Sequence, residues 1–262
     1  RGYYAKRFLR IAPLFYFMLI IMSFLHVLKF NGQFDSAYII KLVCNATFVF
    51  NFIPEFQQSI VWAGWTIGVE MLFYLILPLI ALLFTRKLSM SLLCLATGVI
   101  AILAHSALQR AGEAYPGIAT HSIVRNMFYF CAGCLSYLFY KDSITSTSQT
   151  KTARIAMVLA LALALFLASP FGRPLITSGR PDTIGWGIVL ALICVWLSLK
   201  PAKFCAWAPF QWAGERSYRI YLWHPLVIYA MRDYYPPIYS ALSFMGTSAF
   251  LACFIVPLVP LF

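Results

Sequence analysis

Long, nearly unbroken apolar runs separated by short basic and turn-forming clusters make up most of this chain. The runs do not alternate as half-buried strands do, so their length and continuity predict helices. Candidate spans lie at 11–29, 62–84, 88–108, 120–140, 153–168, 182–199, 217–232 and 240–262. Two of them, 153–168 and 217–232, fall below the roughly 17–25 residues that cross a bilayer, so they are expected to extend into their flanks. The stretch 38–54 is apolar in part but carries Lys41, Asn45 and Asn51, which suits a buried or re-entrant piece better than a crossing. Lys141 to Thr152 reads as a flexible polar loop, and Pro170, Gly172, Pro174, Gly179 and Pro181 mark an irregular one.

Composition removes the soluble alternative. The chain is 62% hydrophobic and 11% charged, where a soluble domain has about 45–50% apolar and about 25% charged residues. The predicted fold class is all-α, a polytopic transmembrane bundle with about eight spans forming a single domain over 1–262. The net charge of +12 would suggest nucleic acid in a soluble protein. Here the basic residues sit between apolar runs, so the expected partner is a lipid bilayer and not nucleic acid. With Arg1 to Arg10 in the cytoplasm and 38–54 dipping in, thirteen Lys and Arg fall inside and five outside, with Lys41 and Arg125 at membrane depth. A crossing at 38–54 would swap every later loop and lose that bias.

Three clusters of residues could carry chemistry. The first is Lys6-Arg7-Phe8-Leu9-Arg10-Ile11-Ala12-Pro13. Arg7 and Arg10 share a helical face and could hold a phosphate or carboxylate, or simply anchor the span to the interface. The second is Trp65-Thr66-Ile67-Gly68-Val69-Glu70, continuing to Tyr74 and Pro78. A carboxylate inside an apolar run costs about 2.5–3.5 kcal/mol on insertion scales, so Glu70 reads as functional or as half of an ion pair with Arg125 or Lys41. Tyr74, four residues on, shares its face, and Gly64 and Gly68 form a small-residue pair suited to close helix packing. The third is Gly214-Glu215-Arg216-Ser217-Tyr218-Arg219-Ile220-Tyr221-Leu222-Trp223-His224-Pro225. Ser217, Tyr221 and His224 recur on one stripe, and Pro225 removes an amide beside His224. An interfacial aromatic belt is the plainer reading of the same residues.

Other polar features read as structural. Cys131-Ala-Gly-Cys134 has the spacing of a metal or redox half-site but no second half, so helix packing is expected and no metal. His26, His105 and His121 fall near outer span ends and read as interfacial. Asn45-Ala46-Thr47 is a formal glycosylation sequon whose expected burial argues against use.

In this order, the three clusters resemble the acyltransferase-3 family of membrane acyltransferases. The family's Arg-x-x-Arg-Ile-x-Pro stretch is matched by Arg7, Arg10, Ile11 and Pro13. Its Trp-Ser-Leu-Ser-Val-Glu-x-x-Phe-Tyr-x-x-x-Pro helix is matched by Trp65, Val69, Glu70, Phe73, Tyr74 and Pro78. Its Gly-x-x-Ser-Tyr-x-x-Tyr-Leu-x-His-Pro segment is matched by Gly214, Ser217, Tyr218, Tyr221, Leu222, His224 and Pro225. Phe128 to Gly133 also looks like its mid-chain Phe-x-x-Gly helix. Thr66 and Gly68 stand where the family has serines.

The resemblance implies acyl-CoA, most often acetyl-CoA, as co-substrate, with no tightly bound cofactor. Arg7 and Arg10 would bind it, and the acceptor would be a sugar hydroxyl of a polysaccharide, lipopolysaccharide or lipid-linked glycan. Glu70 and His224 are the implied catalytic candidates, with Trp65, Tyr74, Ser217, Tyr218 and Tyr221 shaping the cavity. The implied location is a bacterial inner membrane. A glycan transporter or exporter is the rival reading. Family members begin with two further helices, the first carrying a histidine regarded as catalytic, and both ends of this sequence read as cut. On that reading the 262-residue piece alone turns over no substrate. An assay of the purified piece with acetyl-CoA and glycan acceptors checks this, and any turnover overturns it.

Overall fold

The computed structural model describes residues 2–29, 35–110, 121–144, 148–172, 182–233, 236–237 and 240. Among the described residues there are eight α-helices and no strand. They are α1 (Tyr3–Lys29), α2 (Ser36–Ala46), α3 (Trp65–Leu83), α4 (Lys87–Arg110), α5 (Ile123–Ile144), α6 (Gln149–Ala168), α7 (Asp182–Leu199) and α8 (Ala208–Met231). Three short 3-10 turns lie at Phe50–Phe52, Pro54–Phe56 and Lys203–Ala206. The predicted span 240–262, Cys253, and most of the 169–182 loop lie outside the described residues.

Among the described residues four helices are long and apolar enough to cross a membrane, over Tyr3–Leu28, Trp65–Leu83, Lys87–Ala107 and Gln149–Ala168. The short predicted spans do extend: 153–168 begins at Gln149, and 217–232 begins at Ala208. Helix α1 also starts well before residue 11, so the Arg7–Pro13 motif is helical. Helices α5 and α8, of 22 and 24 residues, have the length of a span but carry more polar side chains. Helix α2 has 11 residues, which at about 1.5 Å per residue is half of a hydrocarbon core about 30 Å thick. Large apolar side chains face outward, Leu82 at 76% and Leu88 at 73% exposure, as lipid-facing positions do.

The described chain packs as two units. The first holds Arg1–Phe48, Gln58–Ile67 and Ala206–Phe262; the second holds Val49–Gln57 and Gly68–Cys205. The first unit is therefore built from α1, α2, the start of α3 and α8. Phe48 is buried there, its ring against Phe15 (centroids 4.8 Å) and Tyr16 (5.7 Å) of α1. Asn45, fully buried, holds the end of α2 to the following segment. Its Oδ1 accepts from Ser59 Oγ (2.5 Å) and the Ile60 amide (3.1 Å), while its Nδ2 donates to the Lys41 carbonyl (2.8 Å). The side chain of the sequon asparagine is thus wholly engaged inside the protein.

Three non-glycine residues between α2 and α3 take left-handed backbone: Phe48 (φ 60°), Ser59 (φ 59°) and Ala63 (φ 60°). Each such residue costs about 1–3 kcal/mol and persists only where its surroundings hold it. Burial of the Phe48 ring and the Asn45–Ser59 bond supply that hold at the first two.

The second unit packs α3 to α7. Phe128, Cys131 and Ala132 of α5 meet Cys94 of α4 and Ala191 of α7. Cys131 is fully buried in this cluster, while Cys134 packs against Phe73, Ile80 and Met90 of α3 and α4, and both are free thiols. Ser136 Oγ donates to the Ala132 carbonyl (2.8 Å) and also lies 3.1 Å from the Ala191 carbonyl, tying α5 to α7. Ala153 and Ala156 of α6 lie against Val195 and Leu199 of α7, small side chains that allow close approach. Phe73 of α3 stacks on Phe130 of α5 (4.1 Å, 16°). His105 is buried in α4, near the C-terminal end of that helix. Asn51 caps α5 from a distance: Oδ1 accepts from the Ile123 amide (3.2 Å), and Nδ2 donates to the His121 carbonyl (2.8 Å).

The glycine pair in the second motif does not serve helix–helix packing. Gly64 precedes α3, and a Cβ there would lie 2.7 Å from the Val61 carbonyl oxygen. Gly68 receives the fully buried ring of Phe50, whose Cζ would lie 2.6 Å from a Cβ. Gly68→Ala should therefore overpack this contact and cost about 1–3 kcal/mol. Phe50→Leu should recover part of that loss in the double variant. Thermal unfolding of the four proteins in detergent checks it, and strict additivity would remove the contact from the account.

Candidate active site

In the first unit, α8 is bonded to α1 and to the start of α3 by two tyrosines of the third motif. The Tyr218 hydroxyl donates to the Ile11 carbonyl (2.7 Å), one residue past Arg10. The Tyr221 hydroxyl donates to the Ala63 carbonyl (2.9 Å) and accepts from Thr66 Oγ1 (2.8 Å). Tyr221 therefore also supplies the hold on the third left-handed residue. All three motifs contribute a residue to these bonds, although Ile11 and Tyr218 are 207 positions apart.

His224 and Pro225 form a device of their own. Pro225 lies inside α8 and has no amide hydrogen, so the Tyr221 carbonyl loses the partner that residue i+4 of a helix normally provides. His224 Nδ1 takes that place, 2.7 Å from the Tyr221 carbonyl oxygen. A carbonyl only accepts, so Nδ1 must carry the proton. The neutral ring then keeps its lone pair on Nε2. The His-Pro pair thus fixes a tautomer with local bonds alone.

Arg7 and Arg10 lie on the first turns of α1. The Arg7 guanidinium sits over the Tyr3 ring (5.7 Å) and is half-buried. Arg10 is exposed and has no ion pair or hydrogen bond among the described residues, so its fork is open to an anion. Ser217 is exposed, one turn before Tyr221 and two before His224 on α8. Their rings lie 5.5 Å apart. Trp65 opens α3 and is half-buried.

Glu70 and Tyr74 belong to the second unit. The Tyr74 hydroxyl donates to Glu70 Oε1, a short bond across one helical turn. Among the described residues no ion pair joins Glu70 to Arg125, so that alternative for the acid is set aside. A phenol supports a carboxylate without neutralising it.

The acyltransferase domain matches residues 1–261. The chain belongs to the acyltransferase-3 family. It is also 26% identical over 231 residues to a protein of Acidianus two-tailed virus named "Putative acetyltransferase ORF330". That alignment takes in 87% of this chain, and the chain spans 65% of the relative's length. No solved structure matches. The apolar helices and the family together make this a membrane protein.

Within the acyltransferase-3 pattern, both departures have a physical account. Thr66 keeps the hydroxyl that serine would provide and spends it on Tyr221. Gly68 gives its side-chain volume to Phe50. Ala63, whose left-handed turn precedes α3, carried no signal of its own in the sequence. Pro225→Ala restores an amide able to bond the Tyr221 carbonyl and so competes with His224. The expected outcome is a rise in the Nε2–H tautomer, read from the ring nitrogen shifts of labelled protein. An unchanged tautomer would show that something else fixes the ring.

Proposed function

We propose that this protein is a membrane O-acyltransferase that moves an acyl group from acyl-CoA to a sugar hydroxyl of a cell-surface polysaccharide or lipid-linked glycan. The observation that carries the reading is the hydrogen-bonded assembly of all three motifs by Tyr218 and Tyr221 in one unit. Family membership supports acyl transfer, and the name of the viral relative favours acetyl as the group moved.

The reaction joins the sugar oxygen to the thioester carbonyl carbon, breaks the carbon–sulfur bond, and moves the hydroxyl proton to a base. CoA leaves as a thiolate and takes up a proton. The exposed Arg10 fork, with Arg7 beside it, suits the phosphates of CoA. The Nε2 lone pair of His224 has the character a general base needs. Glu70, held by Tyr74, is a positioned carboxyl group of the kind that orients a protonated partner. The setting is a plasma or inner membrane, with acyl-CoA on the cytoplasmic side.

The test uses the full-length protein in membranes with labelled acetyl-CoA, following label into polysaccharide or lipid-linked glycan. Wild type should transfer label. Arg10→Ala should lose donor affinity and Glu70→Gln should lose turnover, each by about tenfold or more. No transfer with acetyl-CoA or longer acyl-CoAs, alongside movement of glycan across the bilayer, would replace the enzyme by a transporter.

A further inference from the structure

A cavity of about 710 Å3 lies in the first unit, between the C-terminal part of α1, α2, the segment before α3 and the end of α8. Its volume falls in the roughly 300–1,000 Å3 range of small-molecule sites. None of the motif residues Arg7, Arg10, Thr66, Tyr218, Tyr221 and His224 lines it. His26 does, and it lies 16 residues after Arg10 on α1. That separation is about 24 Å along a helix axis. The cavity and the arginine fork therefore stand near opposite ends of a helix of membrane length.

The wall has a definite chemistry. Lys41 lines it, half-buried, and its ammonium has no ion pair, hydrogen bond or ring partner among the described residues. The nearest carboxylate in sequence, Asp35, is engaged as the N-cap of α2, accepting from the Tyr38 amide (2.6 Å). A partly buried ammonium without a counter-charge is a costly arrangement that an incoming anion relieves. Aromatic surface adjoins it. The Tyr38 ring lies flat on His26 (3.8 Å, 12°), and Trp62, 41% exposed, meets Tyr229 edge to face (5.0 Å). The exposed amide of Gln58 adds hydrogen-bonding groups to the same wall. Flat apolar rings beside a few fixed polar groups suit a sugar, whose ring has apolar faces and a polar rim.

We propose that this cavity binds an anionic sugar, one bearing a phosphate or carboxylate, with Lys41 as its counter-charge and Trp62 as the platform for the ring. The site is the acceptor site of the acyl transfer proposed above and rests on that reading. Donor and acceptor then approach from opposite ends of α1. A CoA phosphate group is the poorer fit, because the cavity offers one cation and the arginine pair stands about 24 Å away.

The experiment reconstitutes the full-length protein in phosphatidylcholine nanodiscs and follows tryptophan fluorescence with glucose 1-phosphate, glucuronate and glucose at millimolar concentration. Both anionic sugars should bind, and glucose should bind about tenfold more weakly. Lys41→Met should weaken the anionic sugars by about tenfold and leave glucose unchanged, while Lys41→Arg should retain their binding. Arg10→Ala should leave sugar binding intact and weaken acyl-CoA binding. Equal binding of charged and neutral sugars, unchanged binding in Lys41→Met, or no response to either anionic sugar overturns the proposal. Displacement of the sugars by phosphatidylglycerol, with no dependence on the sugar ring, would make the site one for a lipid headgroup and overturn it too. Acyl transfer that proceeds while Lys41→Met binds and acylates normally sinks this site alone. Anionic-sugar binding without any acyl-CoA binding sinks the enzyme and leaves the cavity.

Discussion

A carbonyl that no helix satisfies has to find a donor elsewhere, and in a lipid-solvated chain the donor cannot be bulk water. For Ala63 it is the phenol of Tyr221. Much of the first unit depends on that bond. Ala63 stands at φ 60°, a conformation of about 1–3 kcal/mol for a residue with a side chain. Its carbonyl accepts from the Thr66 hydroxyl at the start of α3 and from the tyrosine. The same tyrosine accepts from Thr66 and, through its own carbonyl, orients His224. One residue thus stabilises a strained turn, fixes the start of α3 and sets the proton on an imidazole.

The helices were legible because apolar runs of this length admit few other structures. Their edges were less so. Helices α1 and α8 begin in polar, aromatic sequence that carries no hydropathy signal, and they are helical because Tyr218 and Ile11 bring those flanks together. The stretch after α2 was the least readable. It turns on three left-handed residues that are not glycine, so the usual sign of such backbone was missing. The asparagines of 38–54 were visible as polarity that argued against a crossing. That one staples a turn and the other caps a distant helix depends on partners 14 to 72 positions away.

The candidate site was legible where spacing alone carries the answer. Glu70 and Tyr74, one turn apart, are bonded as their spacing suggested. Ser217, Tyr221 and His224 lie on one helix at their predicted spacing, while the bonds from α8 to α1 and to the start of α3 come from Tyr218 and Tyr221 and Ser217 is exposed. Lys41 was visible as a cation at membrane depth. Its place in a wall beside Trp62 and Ser59 follows from the turn that brings residues 58–62 against α1 and α2.

The left-handed turn before α3 also constrains the order in which the protein can be made. One donor to Ala63, the Thr66 hydroxyl, is local, but the other sits at position 221, so for most of translation the turn lacks its phenol. Closing a contact between residues this far apart carries an entropic cost that grows with the intervening chain. Ile11 waits in the same way for Tyr218. The early helices can therefore enter the bilayer in sequence, but their mutual geometry is completed only once the last described helix has left the ribosome. Until then the nascent protein holds an unfinished first unit.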